Sequence, residues 1–238
     1  MSGESYSIFF CFIGNSYEAK IAPEEFASKL FVLYGGHMCK EIFEIVQTMD
    51  QSHIETKFAL QCAPIITGIK ISNLLIVSSC DEESVRRILM KSGILHYRLL
   101  RQENKTTFLL FHRSKLTAYL EDPDVQRILK ENGYEDMSLG GILRTFQYRY
   151  QMHMSDKVGF PHEMGLLLGY PVEDVLGFIR HKGRNSLYAG YWKVYHDVDA
   201  KRKIFDNYEN SKETLIQLLA QGYNMRQIIE LYRESITA

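Results

Sequence analysis

The chain has 238 residues, 45% of them hydrophobic and 24% charged, the balance of an ordinary globular protein. Its formal net charge of −1 argues against a non-specific polyanion binder, which carries a basic excess, so nucleic acid is not the expected partner. The four cysteines, Cys11, Cys39, Cys62 and Cys80, contain no CxxC pair; this removes the common metal-ligand spacings and a disulfide framework, and points to reduced thiols in the cytoplasm.

The apolar run Ile8 to Ile13 is far below the ~20 residues needed to span a bilayer, and it lacks a basic start and a small-residue cleavage site. Neither a membrane span nor a signal peptide is expected. Residues 7–13 read as a short strand or buried segment. Pro23, Glu24 and Glu25 open a helix that runs to about Tyr34 and ends at Gly35-Gly36. A second helix carries Ile42, Phe43, Ile45, Val46 and Met49 at helical spacing. Pro64 and Gly68 make Gln61 to Lys70 a shaped loop, and Leu74 to Val77 follows as a central strand. Ser79 to Glu82 fits a capping box, opening a helix with Val85, Ile88 and Leu89 inward. Strands over 94–101 and 106–112 form a hairpin, and helices follow from Ser114 and Pro123. The rest is mainly helical, except for an aromatic strand over 187–196.

Gly133-Tyr134, Gly169-Tyr170 and Gly222-Tyr223 each separate two helical stretches. The motif predicts a helix ended by a left-handed glycine, with the tyrosine ring covering the joint.

The densest block runs from Phe160 to Val175 and reads as helix, tight turn, helix. It fits the DNA-binding helix-turn-helix pattern, with Gly165 small where the helices approach. Glu173 and Asp174, however, stand where the second helix would meet phosphate. A structural hairpin is the simpler reading. His162 and Glu163 are adjacent and therefore point about 100° apart, so they do not converge on a metal as an HExxH pair does. No metal ligands are assigned. Cys62 is a candidate nucleophile if His162 acts as its base and Glu163 or Asp174 orients the imidazole; a buried small thiol is the competing reading. In an extended segment Tyr191, Lys193 and Tyr195 share one face and could line a pocket for an anionic or planar ligand, with Trp192 in the core.

Three stretches together are similar to a bacterial family of uncharacterised proteins, domain of unknown function 3793. They are Cys62-Ala63-Pro64 with Gly68-Ile69-Lys70, then Phe160 to Phe178, then Gly190 to Tyr195. The resemblance covers about 55–210 and implies a soluble bacterial protein with no established activity or cofactor. Gln61 stands where the family pattern commonly places a histidine.

These observations predict an α+β fold: a small mixed sheet packed by a larger set of helices, with a helix-rich C-terminal half. One domain is expected over 1–238, with a variable helical part over 1–54, a family core over 55–210 and C-terminal helices over 211–238. The leading functional expectation is a cytoplasmic, non-catalytic accessory protein binding an unidentified small molecule or protein partner at His162, Asp174, Tyr191 and Lys193. A Cys62–His162 hydrolase or transferase and a helix-turn-helix regulator are the alternatives. No cofactor can be named.

Overall fold

The structure is a computed structural model and describes residues 39–237. The strand or buried segment expected at 7–13 and the helix expected at 24–34, with Cys11, lie outside the described residues. In chain order the elements are α1 (Lys40–Thr48), α2 (Ile54–Ile66), β1 (Ser72–Ser78), α3 (Glu82–Leu89), β2 (Ile94–Arg101), β3 (Lys105–His112), α4 (Arg113–Leu120), α5 (Pro123–Glu131) and α6 (Leu139–Met154). They continue with α7 (Met164–Leu167), α8 (Val172–His181), β4 (Tyr188–Ala189), β5 (Lys193–Val194), α9 (Val198–Ala220), α10 (Met225–Leu231) and α11 (Arg233–Thr237). The chain is α+β and helix-rich. Among the described residues no helix is long and apolar enough to cross a membrane.

Strands β1, β3 and β2 lie side by side in that order, antiparallel throughout. Successive side chains point to opposite faces of a strand, and both faces here are apolar. Leu74, Leu109 and Phe111 enter one core, while Leu75, Val77, Phe108 and Leu110 enter another. The second core is almost wholly aliphatic and takes in α1, α2, α3, the C-terminal end of α9, and α10. The first is rich in rings and takes in α4 to α8, the β4–β5 hairpin and the middle of α9.

Both sheet edges are closed by glutamine side chains. Gln61 on α2 acts as a surrogate strand for β1, accepting from Ile76 N at 2.9 Å and donating to Ile76 O at 3.2 Å. On the far edge, Gln147 and Gln151 of α6 donate to Arg98 O and Leu99 O of β2, beside the register shift between Arg98 and Leu100. Unpaired strand groups are thereby satisfied within the chain.

The structure corrects four expectations. The strand expected to be central, Leu74 to Val77, lies at an edge of the sheet, because β3 pairs with both β1 and β2. Residues 61–66 belong to α2 rather than to a loop, with Pro64 inside the helix. Pro64 sits in the last turn, where it forfeits a single backbone bond, and burial of Phe58, Ala59, Cys62, Ile65 and Ile66 outweighs that loss. The strand expected over 187–196 is a small hairpin, with Tyr188 opposite Val194 and Ala189 opposite Lys193. It folds back at Gly190, whose missing side chain lets the Phe205 ring approach to 2.5 Å of where a Cβ would stand. The capping box does not form. Ser79 Oγ donates to Gln102 O, and the Glu82 carboxylate accepts from Thr106 Oγ1 at 2.7 Å.

The Gly-Tyr junctions take the expected backbone form. Gly133, Gly169 and Gly222 have φ of +83°, +69° and +93°, and the following amide bonds back to the carbonyl five residues earlier at each joint. Tyr134 and Tyr170 are buried over their joints, whereas Tyr223 is 41% exposed.

Candidate functional site

The ring-rich core opens to the surface as a narrow cleft with about 540 Å³ of empty space, counting the part open to solvent. Two stretches of the chain build it, the block over 160–178 and the hairpin. Phe160 and His162 come from the segment leading into α7, Asp174, Val175 and Phe178 from α8, and Tyr191, Trp192 and Lys193 from the hairpin. The four residues expected to form a binding site, His162, Asp174, Tyr191 and Lys193, all line this one cleft.

Its walls are aromatic. Phe160, His162 and Phe178 form a mutual triangle, with ring centroids 5.5, 5.4 and 6.4 Å apart. Tyr170 stacks on Trp192 at 4.8 Å and 26°. Gly165 lies where α7 and α8 approach, and a Cβ there would meet Val175 Cγ2 at 2.9 Å, so the small residue noted in the sequence is a packing requirement.

The polar heads of the cleft are mostly spent on the protein itself. Asp174 is 2% exposed and accepts from Trp192 Nε1 at 2.8 Å, Tyr195 N at 2.7 Å and His196 N at 3.1 Å. It latches the start of α8 to the hairpin. Lys193 Nζ donates to Gly183 O at 2.5 Å, just past the C-terminal end of α8, where a cation complements the helix dipole. Tyr170 OH donates to Tyr191 O at 3.4 Å. Tyr191 OH donates to Glu209 Oε1 at 2.6 Å, and Glu209 is itself paired with Lys212 at 2.9 Å deep in α9. His162 differs: its imidazole nitrogens have no hydrogen-bond partner among the described residues. Partial desolvation among the rings lowers its pKa, against an opposing pull from Glu163.

Glu163 turns away from the cleft. It is fully buried, accepts from Arg149 Nε and, at 3.2 Å, from Tyr134 OH, and leaves Oε2 without a partner. Burial, with the Glu163 charge beside it, pushes the Tyr134 hydroxyl far up.

Cys62 lies in the aliphatic core, on the other face of the sheet from the cleft. Its thiol is fully buried, donates to Leu74 O at 3.6 Å, and is pushed up to about 12 by burial. The structure therefore does not bring Cys62 to His162.

Lys70 closes the Gly68-Ile69-Lys70 stretch that carries the resemblance, but nothing in the local sequence marks it as buried. It is 5% exposed, donates to Asn73 Oδ1 at 2.7 Å, and lies 5.5 and 5.9 Å from the Tyr170 and Tyr208 ring centroids. Burial lowers its pKa to about 7. Phe160 and Phe178 were missed as wall residues although both bound the Phe160 to Phe178 stretch that carries the resemblance, since helical periodicity does not say which ring faces an opening.

Residues 58–229, well over half of the chain, match the model of a family described as Protein of unknown function (DUF3793). No curated protein and no solved structure matches the chain.

Proposed function

The chain belongs to the DUF3793 family, whose description assigns no chemistry, and from the geometry we propose a non-catalytic binding protein whose cleft receives the planar ring of a small ligand. The observation that carries this reading is the division of labour in the cleft. Aromatic side chains make most of the walls, Asp174, Lys193, Tyr170, Tyr191 and Trp192 direct their polar atoms into the protein, and among the described lining residues the imidazole of His162 alone is left to meet a ligand's polar edge. Pockets of this kind use apolar and aromatic walls for affinity and a few polar groups for orientation. With Lys193 committed to Gly183 O, a neutral planar ligand suits the cleft better than an anion.

A cysteine-nucleophile scheme draws no support from a thiol raised to about 12 in a closed core. A DNA-reading α8 draws none either, because Asp174 is latched to the hairpin and Glu173 is paired with Lys201 at 2.7 Å. We place the protein in the bacterial cytoplasm, which the free thiols of Cys39, Cys62 and Cys80 favour.

The test is ligand-observed NMR with a panel of neutral one- and two-ring aromatic fragments against the wild type, Phe178→Ala and His162→Ala. Binders should weaken at least tenfold in Phe178→Ala and bind less selectively in His162→Ala, with both variants folded. Fragments that bind the wild type and both variants equally would place binding elsewhere and overturn the proposal.

A further inference from the structure

A second opening lies on the far side of the sheet's β2 edge. It is a groove of about 620 Å³ of empty space, again counting the part open to solvent, between α3, β2 and α6. Its charged lining is Arg86 from α3 and Arg98 from β2, and the imidazole of His96, also from β2, joins them. Gln147 closes one wall with its amide already used, donating to Arg98 O at 2.7 Å and accepting from Tyr97 OH at 3.2 Å.

The charges here are poorly balanced, in a chain that is nearly neutral overall. One carboxylate, Glu82, is shared by Arg98 at 3.2 Å and Arg101 at 3.4 Å, and it also takes the Thr106 hydroxyl. Arg98 reaches Glu82 through Nη1. Arg86 has no hydrogen-bond or ion-pair partner among the described residues. Partial desolvation, with the Arg86 charge as a smaller contribution, holds the His96 imidazole below its usual value. The His96 ring packs edge-on against Phe108 at 5.7 Å, which fixes its plane while leaving its nitrogens unbonded among the described residues. A guanidinium, a second guanidinium with donors to spare and an oriented imidazole thus border one open groove, with no acid among them.

We propose that this groove binds an oxyanion, the phosphate or carboxylate group of a small ligand, with Arg86, Arg98 and His96 as its donors. Guanidinium forks match the geometry of such groups, and a bound anion would favour the protonated, donating form of His96 beside Arg86. The site is separate from the aromatic cleft and does not depend on what the cleft binds.

Two-dimensional NMR of the full chain, titrated with pyrophosphate and separately with citrate at low salt, tests this. Saturable shifts at Arg86 and His96, with an upward move of the His96 pKa, are expected from at least one of the two probes. The preferred probe identifies phosphate or carboxylate as the natural group. Arg86→Gln should weaken that probe at least tenfold. Arg87→Gln, which removes an equal charge one residue along where the guanidinium meets Ser84, should change it less than twofold. Equal weakening by both variants would mean diffuse charge attraction and overturn the site. So would the absence of saturation with both probes, or binding only to a DNA duplex included as a control.

Discussion

The two faces of the sheet carry cores of opposite character. Behind one face Ile42, Val46, Ile65, Ile66, Leu75 and Ile216 pack with Cys62 as one more small apolar group, and the buried polar groups there are few: Asn73 bonds to the Cys62 thiol, and His112, whose Nε2 meets Ile65 O, leaves Nδ1 without a partner. Behind the other, Tyr134, Tyr150, Tyr170, Trp192 and Tyr208 are laced with buried charges, and Glu163 Oε2 and Tyr195 OH find no partner. Burying polar groups costs free energy that a purely aliphatic core avoids. The difference teaches that the aliphatic core secures the fold, whereas the ring-rich core spends stability on buried charges that latch the walls of the cleft.

The comparison can be broken most forcefully in the aliphatic core. Phe58→Ala should cost about 4 kcal/mol in urea denaturation, because Phe58 is fully buried there, yet leave aromatic-fragment affinity of the folded fraction unchanged. A loss of affinity would join the two cores functionally. Asp174→Ala strands three N–H donors and should cost about 3 kcal/mol; here fragment binding should vanish with the latch, and retained binding would show that the hairpin needs no anchor.

Gly169→Ala should cost about 2 kcal/mol, since it combines a left-handed backbone with a collision between the new Cβ and the Ile71 side chain. A neutral result by thermal melting would refute the strained turn. At Lys70 the expected effect is small at any one pH near neutrality and shows as a slope. Its folded pKa of about 7 lies below the ordinary 10.5, so the native state releases this proton first. The unfolded chain binds more protons between those values, and Lys70 therefore makes stability rise with pH from about 7 to 10.5. Lys70→Met should remove that slope and gain about 1 kcal/mol at pH 7; an unaltered slope in denaturation midpoints across that range would contradict the burial.

Much of this architecture is legible in the sequence where period and burial agree. The strands over 72–78, 94–101 and 105–112 stand within two residues of their expected ends, because branched and aromatic residues crowd them and polar turns bound them. The assembly of the 160–178 block with the 188–195 hairpin around one opening was also legible, since both stretches concentrate rings and charge beyond what packing needs. Helix α2 was hidden by Pro64, whose cost is small in a last turn that the sequence does not mark as such. The hairpin was hidden because an aromatic run reads the same whether extended or folded back at Gly190. Lys70 and the Glu209–Lys212 pair were hidden because local sequence cannot show that a charged residue has been carried inside.

Trp192 is the one tryptophan of the chain and lines the cleft, so its indole N–H gives a single side-chain signal at the place of interest. Titrating a neutral bicyclic aromatic into isotope-labelled protein should move that signal saturably while the methyl resonances of Ile65, Ile66 and Leu75 stay fixed. Shifts confined to those methyls, with the Trp192 indole unmoved at saturation, would contradict the assignment of the ring-lined face as the binding side.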